Sequence, residues 1–184
     1  MVPEGSAAAS SRVRLAMATT TALIVAADQV SKTLVLAAHS ASQSASQSGA
    51  AGAGFFNVRL VRNTGANGGI AAGYPVLVTL IAAAIACAAV VFALRVRGRA
   101  TAICLAAVVG GALGNLADRL LRSPGFGRGP VVDWIHLGAL GGSFNLADLA
   151  IQCGIAGAAI ALLAEGRLRK AGKASKAREQ VTAE

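Results

Sequence analysis

Residues 74–94 read YPVLVTLIAAAIACAAVVFAL, an apolar run without one charged side chain. A helix needs about 20 residues to cross a hydrocarbon core about 30 Å thick, and this run supplies them. Three further windows resemble it. Residues 15–38 are apolar except for Asp28 and Lys32 near the far end. Residues 100–116 are uncharged and run into Asp118 and Arg119, and residues 149–164 are uncharged and follow Asp148. These last two span a bilayer only if their polar ends reach the interface. The chain of 184 residues is 55% apolar, 14% charged and only 4% aromatic, so a water-soluble core would have to be built mostly from Ala, Val and Leu. The composition and the windows predict an all-α polytopic membrane protein with four transmembrane helices.

The net charge of +9 is unevenly placed. Arg12 and Arg14 precede the first window, Arg95, Arg97 and Arg99 separate the second from the third, and Arg167, Arg169, Lys170, Lys173, Lys176 and Arg178 follow the fourth. In a four-span arrangement all of these fall on one side. Only Arg59, Arg62, Arg119, Arg122 and Arg128 fall on the other. The positive-inside bias then makes both termini cytoplasmic. A nucleic-acid-binding arm is not expected; residues 167–184 read as a basic cytoplasmic tail, frayed or disordered after Glu165, that meets solvent and membrane lipid. The first window is expected to be a membrane span and not a cleavable leader, because it continues through Asp28 and Lys32 and no clean small-x-small site closes it.

Residues 39–54 are Ser-, Ala- and Gln-rich without periodicity and are expected to form a flexible extracytoplasmic insert in a single four-span domain, residues 1–166. From Asn57 to Asn63 the chain alternates, with Val58, Leu60 and Arg62 on one side, as a short strand lying along the membrane surface does. Asn63-Thr64-Gly65 signals a turn, and residues 123–130 form a loop rich in Gly and Pro. Gly110, Gly111 and Gly114 permit close helix contacts. Gly114, Gly154 and Gly157 are expected to leave room for a substrate to approach between helices. Cys87, Cys104 and Cys153 lie inside spans and read as packing residues. His39 and His136 lack the companions a zinc site needs.

All four aspartates, Asp28, Asp118, Asp133 and Asp148, stand at or beside the ends of apolar stretches, and the topology gathers them on one membrane face. Carboxylates there are costly and are seldom kept without a role. Asp28 and Lys32 make an i,i+4 pair on one helix face, read as a structural ion pair. Asn115, Asp118 and Arg119 share another face. Asp118 reads as an anchor for Arg119 or for neighbouring backbone, while Asn115 and Arg119 carry donors suited to peptide carbonyls. Asn145-Leu146-Ala147-Asp148 has the spacing of a capping box. Asp133 alone is compatible with a turn residue. Together, Asp133 and Asp148 form a pair of carboxylates able to share a proton and activate a water.

In series these segments resemble lipoprotein signal peptidase (signal peptidase II). The resemblance rests on Asp28-Gln29-x-x-Lys32, Asn63-x-Gly65-Ala66, Gly110-Gly111-Ala112-x-Gly114-Asn115-x-x-Asp118-Arg119, Val131-Val132-Asp133-Trp134-Ile135 and Phe144-Asn145-x-Ala147-Asp148. It runs in order from Asp28 to about Ile151. It implies a four-helix aspartic endopeptidase of the bacterial cytoplasmic (inner) membrane with a small extracytoplasmic β element. The implied reaction is cleavage of prolipoproteins just before a diacylglyceryl-modified cysteine. On the matching positions the resemblance implies Asp133 and Asp148 as catalytic residues. It implies Asn63, Asn115, Arg119 and Asn145 as substrate-binding residues. A monomer without metal or organic cofactor is expected, acting near the extracytoplasmic face. The chain departs from the family pattern at Asn67-Gly68-Gly69-Ile70, in the insert at 39–54, and in the short Gly-rich connection from Leu137 to Gly142. The alternative is a small transporter or ion-binding membrane protein, for which carboxylates near the bilayer midplane and repeated halves are expected.

Overall fold

In the computed structural model the described residues are 4–44, 56–66, 70–96, 98–137 and 142–182. The elements are helix α1 (Glu4–Ser44), strand β1 (Phe56–Asn63), helices α2 (Pro75–Arg95) and α3 (Arg99–Leu121), strands β2 (Val131–Leu137) and β3 (Gly142–Phe144), and helix α4 (Leu146–Thr182). Within the helices, Ser11–Ala41, Pro75–Arg95, Arg99–Leu121 and Leu146–Gly172 are long and apolar enough to cross a membrane. Charged and polar side chains are buried beside an apolar core, and large apolar ones face outward: Asp28, Lys32, Asp118, Arg119, Asp133 and Asn145 are buried, whereas Leu23, Leu80, Ile85, Ile160 and Leu163 are exposed. That distribution suits lipid as the surrounding solvent.

α3 is the hub. It packs on α1, α2 and α4, while α1 and α2 barely touch each other. Small residues make the close approaches possible. A Cβ at Gly111 would fall on the Ala147 carbonyl oxygen, and one at Gly114 would lie 2.7 Å from an Asp28 carboxylate oxygen. Gly154 likewise meets Cys104 and Val108, and Gly157 meets Cys104. Gly114, Gly154 and Gly157 are therefore used up in packing within the chain, against the expectation that they leave space for a substrate. A missing side chain opens a path only where no other helix has closed on it.

Two helices run further than their composition suggests. α1 continues to Ser44, into the expected insert, and the remainder of that insert, from residue 45, lies outside the described residues. α4 runs on to Thr182, where a frayed tail was expected. Ala, Leu, Glu, Lys and Arg dominate that segment and favour helix wherever nothing breaks it.

The three strands form one antiparallel sheet in the order β1-β2-β3. β1 pairs Asn63 with Val131 and Val61 with Asp133, then shifts register before Val58 meets Ile135. The shift places one extra residue in β1, which reverses the faces on either side of it. The alternation expected for Val58, Leu60 and Arg62 is thus broken: Val58 is exposed and Leu60 half-buried. β2 and β3 pair Ile135 with Phe144 and His136 with Ser143. Asp133 lies in a strand, not in a turn.

Candidate active site

Asp133 comes from β2 and Asp148 from the first turn of α4, and both line one cavity of about 380 Å³ between α2, α3, α4 and the sheet. Asn63, Asn115, Arg119, Ser143 and Phe144 also line it, with Ala82, Ile85 and Ile151 forming apolar wall. β3 runs back antiparallel along β2, so that α4 starts beside the strand carrying Asp133.

The start of α4 is a complete capping box. Asp148 N–H donates to Asn145 Oδ1 at 2.9 Å, and Asn145 N–H donates to Asp148 Oδ2 at 3.2 Å. The amide of Asn145 goes further, donating to Asp133 Oδ1 at 2.7 Å and to Asn115 Oδ1 at 3.2 Å. Asn63 Nδ2 donates to Asp133 Oδ2 at 3.2 Å, and Asn115 Nδ2 to Asp148 Oδ1 at 2.7 Å. Each carboxylate is thus held by two donors. Asn145 is fully buried and is absent from the cavity wall. It sits behind the two aspartates with both of its amide hydrogens engaged, a placement suited to orienting them.

Behind this layer lies an ionic one. Lys32 Nζ reaches Asp28 and Asp118 at 2.8 Å each and Asn115 Oδ1 at 3.0 Å, which uses all three of its hydrogens. The expected Asp28–Lys32 pair is present, but the cations of Asp118 are Lys32 and Arg122, the latter at 2.6 Å, not Arg119. Asp118 also accepts the Val132 N–H at 3.1 Å, one residue before Asp133. Asp28 accepts the Ala147 N–H at 3.0 Å, one residue before Asp148. Each buried carboxylate therefore fixes the backbone next to a cavity-lining one. Asp28 does so at a helix N-terminus, where partial positive charge favours an anion. Gln29 was not singled out as a site residue, yet its amide donates to Asp28, Asp118 and the Gly114 carbonyl at 3.0–3.2 Å. Its place between Asp28 and Lys32 in the first motif was the available signal.

Arg119 donates through Nη2 to the Gly65 carbonyl at 2.7 Å, while its Nε and Nη1 are buried without a partner beside the cavity. Asn63 Oδ1 accepts the Gly65 N–H at 3.0 Å, so the turn after β1 is tied to both residues. Burial, and secondarily the charge of Asp148, raise the Asp133 pKa to about 6, and the hydrogen bonds from Asn63 and Asn145 oppose that rise. Among the described residues no group of three His, Cys, Asp or Glu side chains is placed to hold a metal ion.

The family model described as Signal peptidase (SPase) II matches residues 20–164. The chain belongs to the signal peptidase II family. The lipoprotein signal peptidase of Leifsonia xyli subsp. xyli is 37% identical over 124 residues, covering 67% of this chain and 56% of the relative. That of Rhodococcus jostii is 43% identical over 98 residues, covering 53% of this chain and 49% of the relative. The chain spans about half the length of the curated relatives it matches. A bacterial membrane enzyme solved by the in meso method at 2.3 Å resolution superposes with a TM-score of 0.64 at 27% identity, covering 82% of this chain and 88% of that one. All five signal peptidase II motifs read from the sequence fall within the matched residues.

Proposed function

We propose that this chain is a membrane aspartic endopeptidase that removes signal peptides from prolipoproteins, cleaving just before the diacylglyceryl-modified cysteine. The observation that carries the reading is the meeting of Asp133 and Asp148 in one cavity, each held by two hydrogen-bond donors at the end of a helical bundle. Family membership supports the same reading.

Asp133 and Asp148 are the catalytic pair. With one carboxylate ionised and the other protonated, the ionised member takes a proton from a water and the protonated member polarises the scissile carbonyl. The water oxygen bonds to the carbonyl carbon. As the C–N bond breaks, the carboxyl that gained the water's proton delivers a proton to the leaving amine. The raised pKa of Asp133 suits it to hold the shared proton.

Arg119 offers the N–H groups of its two unpartnered nitrogens to a substrate carbonyl, and Asn63 and Asn115 combine substrate contact with orientation of the aspartates. Asn145 orients only. The extended peptide enters beside Phe144 and Ile151, with its apolar helix in lipid next to α2 and α4. The distribution of Arg and Lys supports an orientation with both termini in the cytoplasm and the cavity near the extracytoplasmic face of the bacterial inner membrane. The enzyme acts as a monomer on substrates held in the outer leaflet by their lipid. The deciding experiment is a cleavage assay on a diacylated prolipoprotein with Asp133→Asn and Asp148→Asn alongside. Both variants are expected to be inactive, and near-normal turnover by either would end the assignment.

A further inference from the structure

A second and larger cavity, about 710 Å³, lies away from the aspartates, where α1 and α2 both pack on α3 without closing on each other. Its α1 wall is low, because Ala18, Ala22 and Ala26 recur every fourth residue, and Val90, Leu94 and Val109 complete the sides. The lining hydroxyl, Thr21, is committed to the Ala106 carbonyl at 3.1 Å. Apart from that hydroxyl and the mouth, the cleft is lined by apolar side chains. An apolar cleft on the flank of a membrane-spanning bundle takes hydrocarbon.

The one charged group of the lining is Arg14, exposed and without a hydrogen bond or ion pair among the described residues. Arg95 ends α2 and Arg99 begins α3 at the same edge of the bundle. We propose that the α1–α2 cleft binds one acyl chain of an anionic phospholipid, with the lipid phosphate at Arg14. A guanidinium matches a phosphate in charge and geometry. The charge also separates this occupant from a signal peptide. Signal peptides begin with a basic segment on the cytoplasmic side, and a mouth lined by Arg14 repels such a segment. That last step rests on the topology proposed above; the cavity and its cation do not.

The test is native mass spectrometry of the purified full-length protein, equilibrated in detergent with equal amounts of dioleoyl phosphatidylglycerol and dioleoyl phosphatidylcholine. One retained phosphatidylglycerol per protein is expected. Arg14→Gln should reduce its preference over phosphatidylcholine by about fivefold, the effect of one surface cation. Ala22→Trp, which fills the cleft, should abolish retention of both lipids, whereas Ala156→Trp on the exposed side of α4 should not. Equal retention of the two lipids by the unaltered protein, or an unchanged preference in Arg14→Gln, overturns the proposal. So does a lipid that persists in Ala22→Trp, or one displaced by a synthetic prolipoprotein signal peptide. Should Ala22→Trp fail to fold, Arg14→Gln at its exposed position decides alone. Binding is read without turnover, so a negative result leaves the peptidase reading untouched.

Discussion

Asn145 and Asp148 hold each other twice, side chain to backbone in both directions, at 2.9 and 3.2 Å. The Asp148 oxygen left outside the bond to Asn145 N–H receives the Asn115 amide at 2.7 Å and belongs to the cavity wall. Helix capping and proton transfer are therefore not competing accounts of this motif. The cap determines where the carboxylate sits, and Asp148 still lines the cavity.

Asp133→Asn and Asp148→Asn should accumulate in the membrane at normal levels and show no measurable cleavage. Each replaces a proposed proton-transfer group with an amide of nearly the same size. Activity per molecule of folded protein is the measurement. Asp118→Asn, folded yet equally inactive, would move the proton-transfer role to Asp118.

The ionic layer should instead fail by unfolding. Lys32→Met leaves Asp28 and Asp118 without their shared cation in a buried site, a loss of about 3–5 kcal/mol. Thermal unfolding in detergent and membrane abundance should both fall sharply. Unchanged abundance with activity lost would instead place Lys32 in the chemistry.

The pH profile should follow Asp133. Its proton is retained up to about 6, so an acid step that depends on it weakens as pH rises through that value. For the free enzyme, kcat/KM should fall about tenfold per pH unit on that alkaline limb. Asn63→Ala removes a hydrogen bond that favours the ionised form, so the limb should move to higher pH. A limb that moved down would contradict the assignment. The same raised pKa contributes folding stability that is complete below the unfolded value of about 3.9 and lost as pH rises through about 6. The unfolding free energy of Asp133→Asn relative to wild type should accordingly increase across that window.

Gly111→Ala tests the α3–α4 contact. The new methyl would fall on the Ala147 carbonyl oxygen, part of the α4 backbone, and against the Ile151 side chain. A destabilisation of about 1–3 kcal/mol is expected. Activity should drop with it, because Ala147 precedes Asp148. A variant with wild-type melting and turnover would show that the two helices are not in close contact.

Topology is checked by cysteine labelling in a background lacking the three native cysteines. A cysteine at Phe126, an exposed loop position, should react with an impermeant reagent from outside the cytoplasmic membrane. One at Ala171 should not. The reverse pattern would put the cavity on the cytoplasmic side.

Which parts of this protein are local and which are not can be traced residue by residue. The span at 74–94 depends only on its own uncharged side chains, and so it stood in the sequence almost to its ends. The Asn145–Asp148 cap and the Asp28–Lys32 pair span three and four positions, within reach of one helical turn, and spacing alone announced them. Partners far apart in sequence were a matter for packing. Asp118 takes Lys32 across 86 positions in preference to its neighbour Arg119, because successive residues on a helix point in different directions. The bulge in β1 depends on the register of β2, and alternation within a single strand carries no trace of its partner. The uses of Gly111 and Gly114, the burial of Asn145 and the open α1–α2 cleft came only with the helices assembled. A sequence states what a side chain is; which other segment fills the space beside it is decided by the whole fold.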